Sequence, residues 1–170
     1  PGTPSLYYGS EWGITGKRLA SSDAPLRPAL ELPPKDSPPR WDEKSTPFMN
    51  PGMPELISKL ARIRRRNPAL NRGEYHQVFV SHRQMGFART LPDQMVLVLL
   101  NSDSVECRPD VLNMPAWMRN GSSFPVNRLP ATQRWIDLLD ESEEFVSTGS
   151  SLPVRLPPNS ARILLGTRIT

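Results

Sequence analysis

Proline sets the first limit on this chain, with 20 among 170 residues against a usual share of roughly 5%. Each proline removes a backbone donor and fits poorly inside a helix or a central strand. That argues against a long all-helical fold and favours long connections and edge-rich β structure. Residues 10–53 hold many Pro, Ser, Asp and Lys with no sustained apolar period. They read as one long loop, and loops of that length tend to be functional or disordered. A hydrophobic fraction of 37%, with four Trp and five Phe, still marks a chain able to bury a core. The length suits one core, or one core and a fragment of another.

The clearest element is a helix over residues 54–67. Pro54 suits a first helical position, and Glu55 stands beside the positive end of the dipole. Leu56, Leu60 and Ile63 recur at i, i+4 and i+7, with Ile57 and Ala61 widening the stripe. Arg64, Arg65 and Arg66 occupy the last turn, where cations complement the dipole, so the arginine run has a structural explanation. Asn67-Pro68 ends the helix, because a residue before proline avoids the helical region.

Residues 71–170 read as β. The expected strands are 75–81, 86–90, 95–101, 135–139, 154–156 and 161–165, and a further short strand at Ser5–Tyr8 is closed by Gly9. Leu91-Pro92-Asp93-Gln94 and Pro157-Pro158-Asn159-Ser160 are turns by composition. The run from Met95 to Leu100 is apolar on both faces, as a central strand is. Short strands with frequent turn signals predict an antiparallel β-sandwich.

The formal charge of +4 is spread along the chain rather than gathered into a basic stripe with interleaved aromatics, so no nucleic-acid partner is expected. No apolar run approaches the ~18 residues of a membrane span, and no membrane partner is expected either. A single cysteine, Cys107, fits a reducing, cytoplasmic compartment. It reads as a small packed residue rather than a nucleophile, since no histidine is near it in sequence and His76 and His82 fall in a strand-like stretch. The chain opens Pro1-Gly2-Thr3-Pro4 without an initiator methionine, as an internal segment would, so the lack of a targeting segment says nothing about a parent protein.

An ordered set of motifs then enters. Pro1-Gly2-Thr3-Pro4-Ser5-Leu6-Tyr7-Tyr8-Gly9-Ser10-Glu11 resembles the eighth barrel strand of the α-amylase family, where a G-x-P-x-x-Y-Y-G-x-E pattern is common. Leu60 to Leu70, followed by Gly73, is similar to the family's last barrel helix. Val96–Asn101, Trp135–Leu139 and Leu156–Ile163 resemble the sandwich that caps these enzymes. The sequence departs from the pattern at Ser10, where Asp is frequent, and at Asp23-Ala24-Pro25-Leu26-Arg27, which replaces D-P-x-x-R. The loop from Pro28 to Met53 matches nothing nameable.

The resemblance implies a mainly β chain in which residues 1–70 are the end of a (β/α)8 TIM barrel and residues 71–170 an antiparallel β-sandwich domain. It implies the C-terminal part of a glycoside hydrolase or transglycosidase acting on α-glucosidic bonds of maltooligosaccharides or glucans. The alternative is a non-catalytic carbohydrate-binding or docking module. Retaining glycosidases need two carboxyl groups about 5–5.5 Å apart, carried in this family on earlier barrel strands. No barrel strand here ends in Arg-x-Asp, and no His-Asp or Asn-His-Asp occurs, so catalytic residues are expected elsewhere and this chain alone is expected to be inactive. Glu11 reads as a local strand-end partner.

Asp23 and Arg27 match an Asp/Arg pair that binds sugar hydroxyls in several relatives. The alternative is a plain loop salt bridge. Trp12 is either a sugar platform or a packing residue, and Trp41 and Trp117 are candidates for a surface starch site. No cofactor and no metal are expected, since the family's usual metal ligands lie upstream. The partners implied are an α-glucan and the missing N-terminal barrel portion. Without that portion, residues 1–53 are expected to be poorly ordered, with the helix docked on the sandwich.

Overall fold

The computed structural model describes residues 2–14, 16–27, 52–109, 132–148 and 152–168. The chain divides into two compact units, residues 1–61 and 62–170.

In the second unit, six strands form one antiparallel sheet: β1 (Glu74–Val80), β2 (Gln84–Leu91), β3 (Gln94–Asn101), β4 (Thr132–Asp137), β5 (Glu144–Thr148) and β6 (Ser160–Arg168). Their order is β1-β2-β3-β6-β4-β5, so the last strand enters between a three-stranded meander and a hairpin. This is the mainly β, antiparallel architecture that the sequence predicts. Pro92 and Asp93 make the tight link between β2 and β3, with Leu91 opposite Gln94. Asn159 adopts a left-handed conformation at φ 48 in the turn before β6, and an Asn side chain tolerates that better than most. The register of β1 against β2 shifts between Gln77 and Phe79. Such a bulge on an edge strand discourages further strand pairing.

β3 is central, and its alternation explains its apolar run. Leu97 and Leu99 face one cluster with Val78, Ala88, Trp135 and Leu164, closed over by Leu152, Val154 and Leu156. Val96 and Val98 face the other, with Ile163, Ile63 and Ala69. Both faces of the sheet therefore carry a core. Residues 154–156, expected as a strand, make only the single bridge between Leu156 and Cys107. Pro153 and Pro157 flank the segment and remove ladder donors. Its side chains supply core without extending a sheet.

The helix α1 (Met53–Arg66) forms as expected, and a five-residue α2 (Pro68–Arg72) follows it. Asn67 is extended at φ −115, ψ 93, with Pro68 opening α2, so the Asn-Pro pair stops one helix and starts another. Gln94 clasps this junction. Its side-chain oxygen accepts from the Ala69 N–H at 2.9 Å, and its amide donates to Asn67 Oδ1 at 3.2 Å. Asn67 in turn donates to the Ile63 carbonyl at 2.8 Å. The apolar stripe of α1 is not buried as one face. Ile63 is buried, whereas Leu56 and Leu60 remain 48% and 39% exposed. Ile63, in the last turn of the helix, is thus the position of the stripe that packs on the sheet.

The first unit departs further from expectation. Ser5–Tyr8 forms no strand, and Tyr7 and Tyr8 are 59% and 45% exposed. A parallel barrel strand needs a neighbour on each side to satisfy its backbone. No such neighbours exist among the described residues, so the segment passes directly into a 3-10 turn at Ser10–Trp12.

Candidate functional site

The sequence singles out Trp12, Asp23 and Arg27, all in the first unit. Gly9 and Gly13 bracket the Ser10–Trp12 turn with φ of 85 and 69, a region in which glycine avoids the Cβ penalty. The Gly9 carbonyl accepts from the N–H groups of both Trp12 and Ile14 at 3.1 Å, which holds the turn closed. Trp12 and Glu11 are half-buried there. The rings of Tyr7 and Tyr8 meet at a centroid distance of 5.1 Å and a tilt of 44°, presenting adjacent flat faces to solvent.

Asp23 and Arg27 lie on the following loop. Leu19 bridges Ser22, Ser22 Oγ accepts from the Ala24 N–H at 3.1 Å, and a short 3-10 turn at Ala24–Leu26 carries the chain on to Arg27. Gly16 is needed for this fold, because a Cβ there would collide with the carbonyl of Pro25. The loop brings the predicted pair together, with Arg27 Nη2 at 3.6 Å from Asp23 Oδ2. It also adds a residue that sequence reasoning missed: Arg18 Nε lies 2.8 Å from Asp23 Oδ1. Both carboxylate oxygens therefore face a guanidinium, and all three side chains are well exposed. No sequence signal marked Arg18; the turn that Gly16 permits against Pro25 brings it to Asp23.

Chemically, the arrangement offers planar donor forks beside a carboxylate, which suits charge-assisted hydrogen bonds to vicinal hydroxyls. An exposed loop ion pair has the same geometry, and both readings of the pair remain. Trp41 and Trp117 lie outside the described residues. Among the described residues no group of three or more His, Cys, Asp or Glu side chains could hold a metal, and no helix is long and apolar enough to cross a membrane.

The second unit holds charge of another kind. Asp137 is buried and receives Arg162 Nη1 at 2.8 Å, the Leu139 N–H at 2.9 Å and the Ile163 N–H at 3.3 Å. Arg162 also meets Glu143 at 2.6 Å and stands 4.9 Å above the Phe145 ring. Burial pulls the Arg162 pKa down, but the hydrogen bonds and charges of Asp137 and Glu143 outweigh it and raise the net value. This cluster joins β4 to β6 and reads as structural. His76 is buried on β1, where burial lowers its pKa and Glu74, at 3.6 Å, opposes the shift. Cys107 packs against the core, and burial, then the charge of Asp103, raises its pKa. An elevated thiol pKa suits a packing residue rather than a nucleophile.

No family model matches the chain. It is 33% identical over 169 residues to neopullulanase 2 from Thermoactinomyces vulgaris, covering 98% of this chain and 24% of that protein. A cyclomaltodextrinase from Thermoanaerobacter pseudethanolicus is 27% identical over 130 residues, covering 71% of this chain and 20% of that protein. The chain thus spans about a fifth to a quarter of these relatives. Among solved structures, the α-amylase from Geobacillus thermoleovorans complexed with acarbose matches 100% of this chain and 31% of its own, with a TM-score of 0.74 at 16% identity. The cyclic α-maltosyl-(1→6)-maltose hydrolase from Arthrobacter globiformis matches 94% of this chain and 26% of its own, with a TM-score of 0.53 at 21% identity. At those identities the structures speak to the fold. The chain is related to the α-amylase family of glycoside hydrolases, and the similarity lies in their C-terminal portion.

Proposed function

We propose that this chain serves as the C-terminal part of an α-amylase-family glycosidase or transglycosidase that acts on α-glucosidic bonds of maltooligosaccharides or related glucans. The observation that carries the reading is the match of 98% of the chain to a quarter of neopullulanase 2 at 33% identity. The names of both curated relatives, and the ligands in the two solved structures, are those of α-glucan chemistry. On this reading residues 1–70 complete a barrel and residues 71–170 cap it.

The catalytic carboxylates are supplied from outside this chain. Double displacement needs two carboxyl groups about 5–5.5 Å apart, one of them able to hold a proton. The described carboxylates of the first unit are Glu11, Asp23 and Glu55, and Asp23 is occupied on both oxygens by arginines. Asp23 and Arg27 bind sugar hydroxyls, and Trp12 offers an apolar face, once the rest of the barrel frames them.

Activity on maltooligosaccharides is the test, with the purified chain alone and then mixed with the upstream polypeptide of neopullulanase 2. No turnover alone and turnover in the mixture is expected. Turnover by the chain alone would overturn the reading. Sugar binding without turnover in both arms would favour a binding module.

A further inference from the structure

Arg18 reaches Asp23 through a small hairpin. Leu19 and Ser22 exchange both backbone hydrogen bonds, at 3.1 and 3.3 Å, and form an antiparallel bridge with Ala20 and Ser21 as the turn between them. One step back from such a pair, the opposed residues share no backbone hydrogen bonds and their side chains come closer together. Those residues are Arg18 and Asp23. The two arms still run close at Gly16, where a Cβ would meet the Pro25 carbonyl, so the register holds through the pair.

The two arginines stand differently to the one carboxylate. Arg18 Nε is in contact with Oδ1 at 2.8 Å. Arg27 Nη2 is 3.6 Å from Oδ2, too far for a hydrogen bond. A sugar hydroxyl is both donor and acceptor. Seated beside Arg27 and Oδ2, it accepts from the first and donates to the second through two bonds of about 2.8 Å.

We infer that Arg18 is a positioning residue, which holds Asp23 by Oδ1 and so presents Oδ2 and Arg27 as a matched acceptor and donor for one sugar hydroxyl. The inference rests on the function proposed above, in which Asp23 and Arg27 bind sugar; Arg18 acts through Asp23 and touches no sugar itself. Exposed ion pairs contribute little to folding, so the loss of Arg18 shows in substrate affinity rather than in stability.

The test uses the full 170-residue chain mixed with the neopullulanase 2 polypeptide that precedes the matched quarter, with maltotriose as substrate and kcat and KM read separately. Thermal unfolding checks that each variant stays folded. Arg18→Ala should raise KM about fivefold and change kcat less than twofold, as the loss of uniform binding does. Lys17→Ala removes the exposed neighbouring cation, whose side chain alternates to the other side of the hairpin, and should leave both constants within about twofold. In an Asp23→Ala background, Arg18→Ala should change KM less than about twofold, because its route to the sugar is gone. A wild-type KM in Arg18→Ala, or the same fivefold loss in the Asp23→Ala background, would overturn the positioning role and leave the proposed function standing. An equal effect of Lys17→Ala would reduce Arg18 to one charge among several and reject the inference. A wild-type mixture without turnover would overturn the proposed function, and the inference with it.

Discussion

Trp135 and the Tyr7–Tyr8 pair show how differently the two units treat large aromatic residues. Trp135 is 1% exposed, sits in a core closed from both sides of its strand, and donates from its indole to Ser147 at 3.3 Å. Tyr7 and Tyr8 meet each other at a tilt and stay largely exposed. The sheet completes its backbone ladders and its core within the chain. The first unit is held by turns and by ion pairs on an exposed loop. Self-sufficiency of the one and dependence of the other follow from where the hydrogen-bond partners are.

The sharpest way to break that contrast is to delete the two tryptophans in turn. Trp135→Ala should destabilise the sheet unit by about 3–5 kcal/mol, the usual cost of a large aromatic cavity. Trp12→Ala should shift the same transition by less than about 0.5 kcal/mol. Urea unfolding followed by circular dichroism reads both. Comparable losses would mean that the first unit contributes to the core of the second.

Charge gives the second comparison. Asp137 is fully buried, and its partner Arg162 is nearly so. Arg162→Ala would strand a buried carboxylate and remove the guanidinium that covers Phe145, at a cost of about 3 kcal/mol. Asp23→Ala removes two pairs whose members are all exposed, where such contacts are worth about 0–1 kcal/mol. The global unfolding midpoint should barely move for Asp23→Ala. A large loss there would show that the loop supports the fold, and would favour the plain ion-pair reading of Asp23 over the sugar-binding one.

The sequence carried the sheet better than the site, and the reason is the range of the forces involved. β3 was legible because a two-faced apolar run has one structural solution, and α1 because its period is local. β5 was not expected. Glu144–Thr148 offers few apolar residues, and its pairing with β4 is a tertiary choice. Residues 154–156 showed their burial in their alternation, but the flanking prolines denied them a ladder. Ser5–Tyr8 reads as a strand because such residues pair well when neighbours exist, and none occurs among the described residues. The Asp23–Arg27 pair was legible from its resemblance to the family's Asp/Arg pair. Arg18 was not, because only the folded loop brings it to the same carboxylate.

A gentler probe of the sheet's independence is proton linkage at His76. Its imidazole shares a face of the sheet with Ala88, the residue opposite it on β2, within the cluster that holds Trp135. Burial lowers its pKa below the ordinary 6.5, with Glu74 pulling weakly the other way. The unfolded chain therefore takes up a proton that the folded chain refuses, and stability falls as pH drops below about 6.5 toward the folded value. Above 6.5 the contribution is complete and flat. Unfolding free energies measured from pH 7.5 down to 5 should show this slope, and His76→Gln should flatten it. Glu74→Gln should lower the folded pKa further and carry the decline to lower pH. If His76→Gln leaves the slope intact, the proton enters elsewhere and the imidazole is not confined by the core that surrounds Trp135.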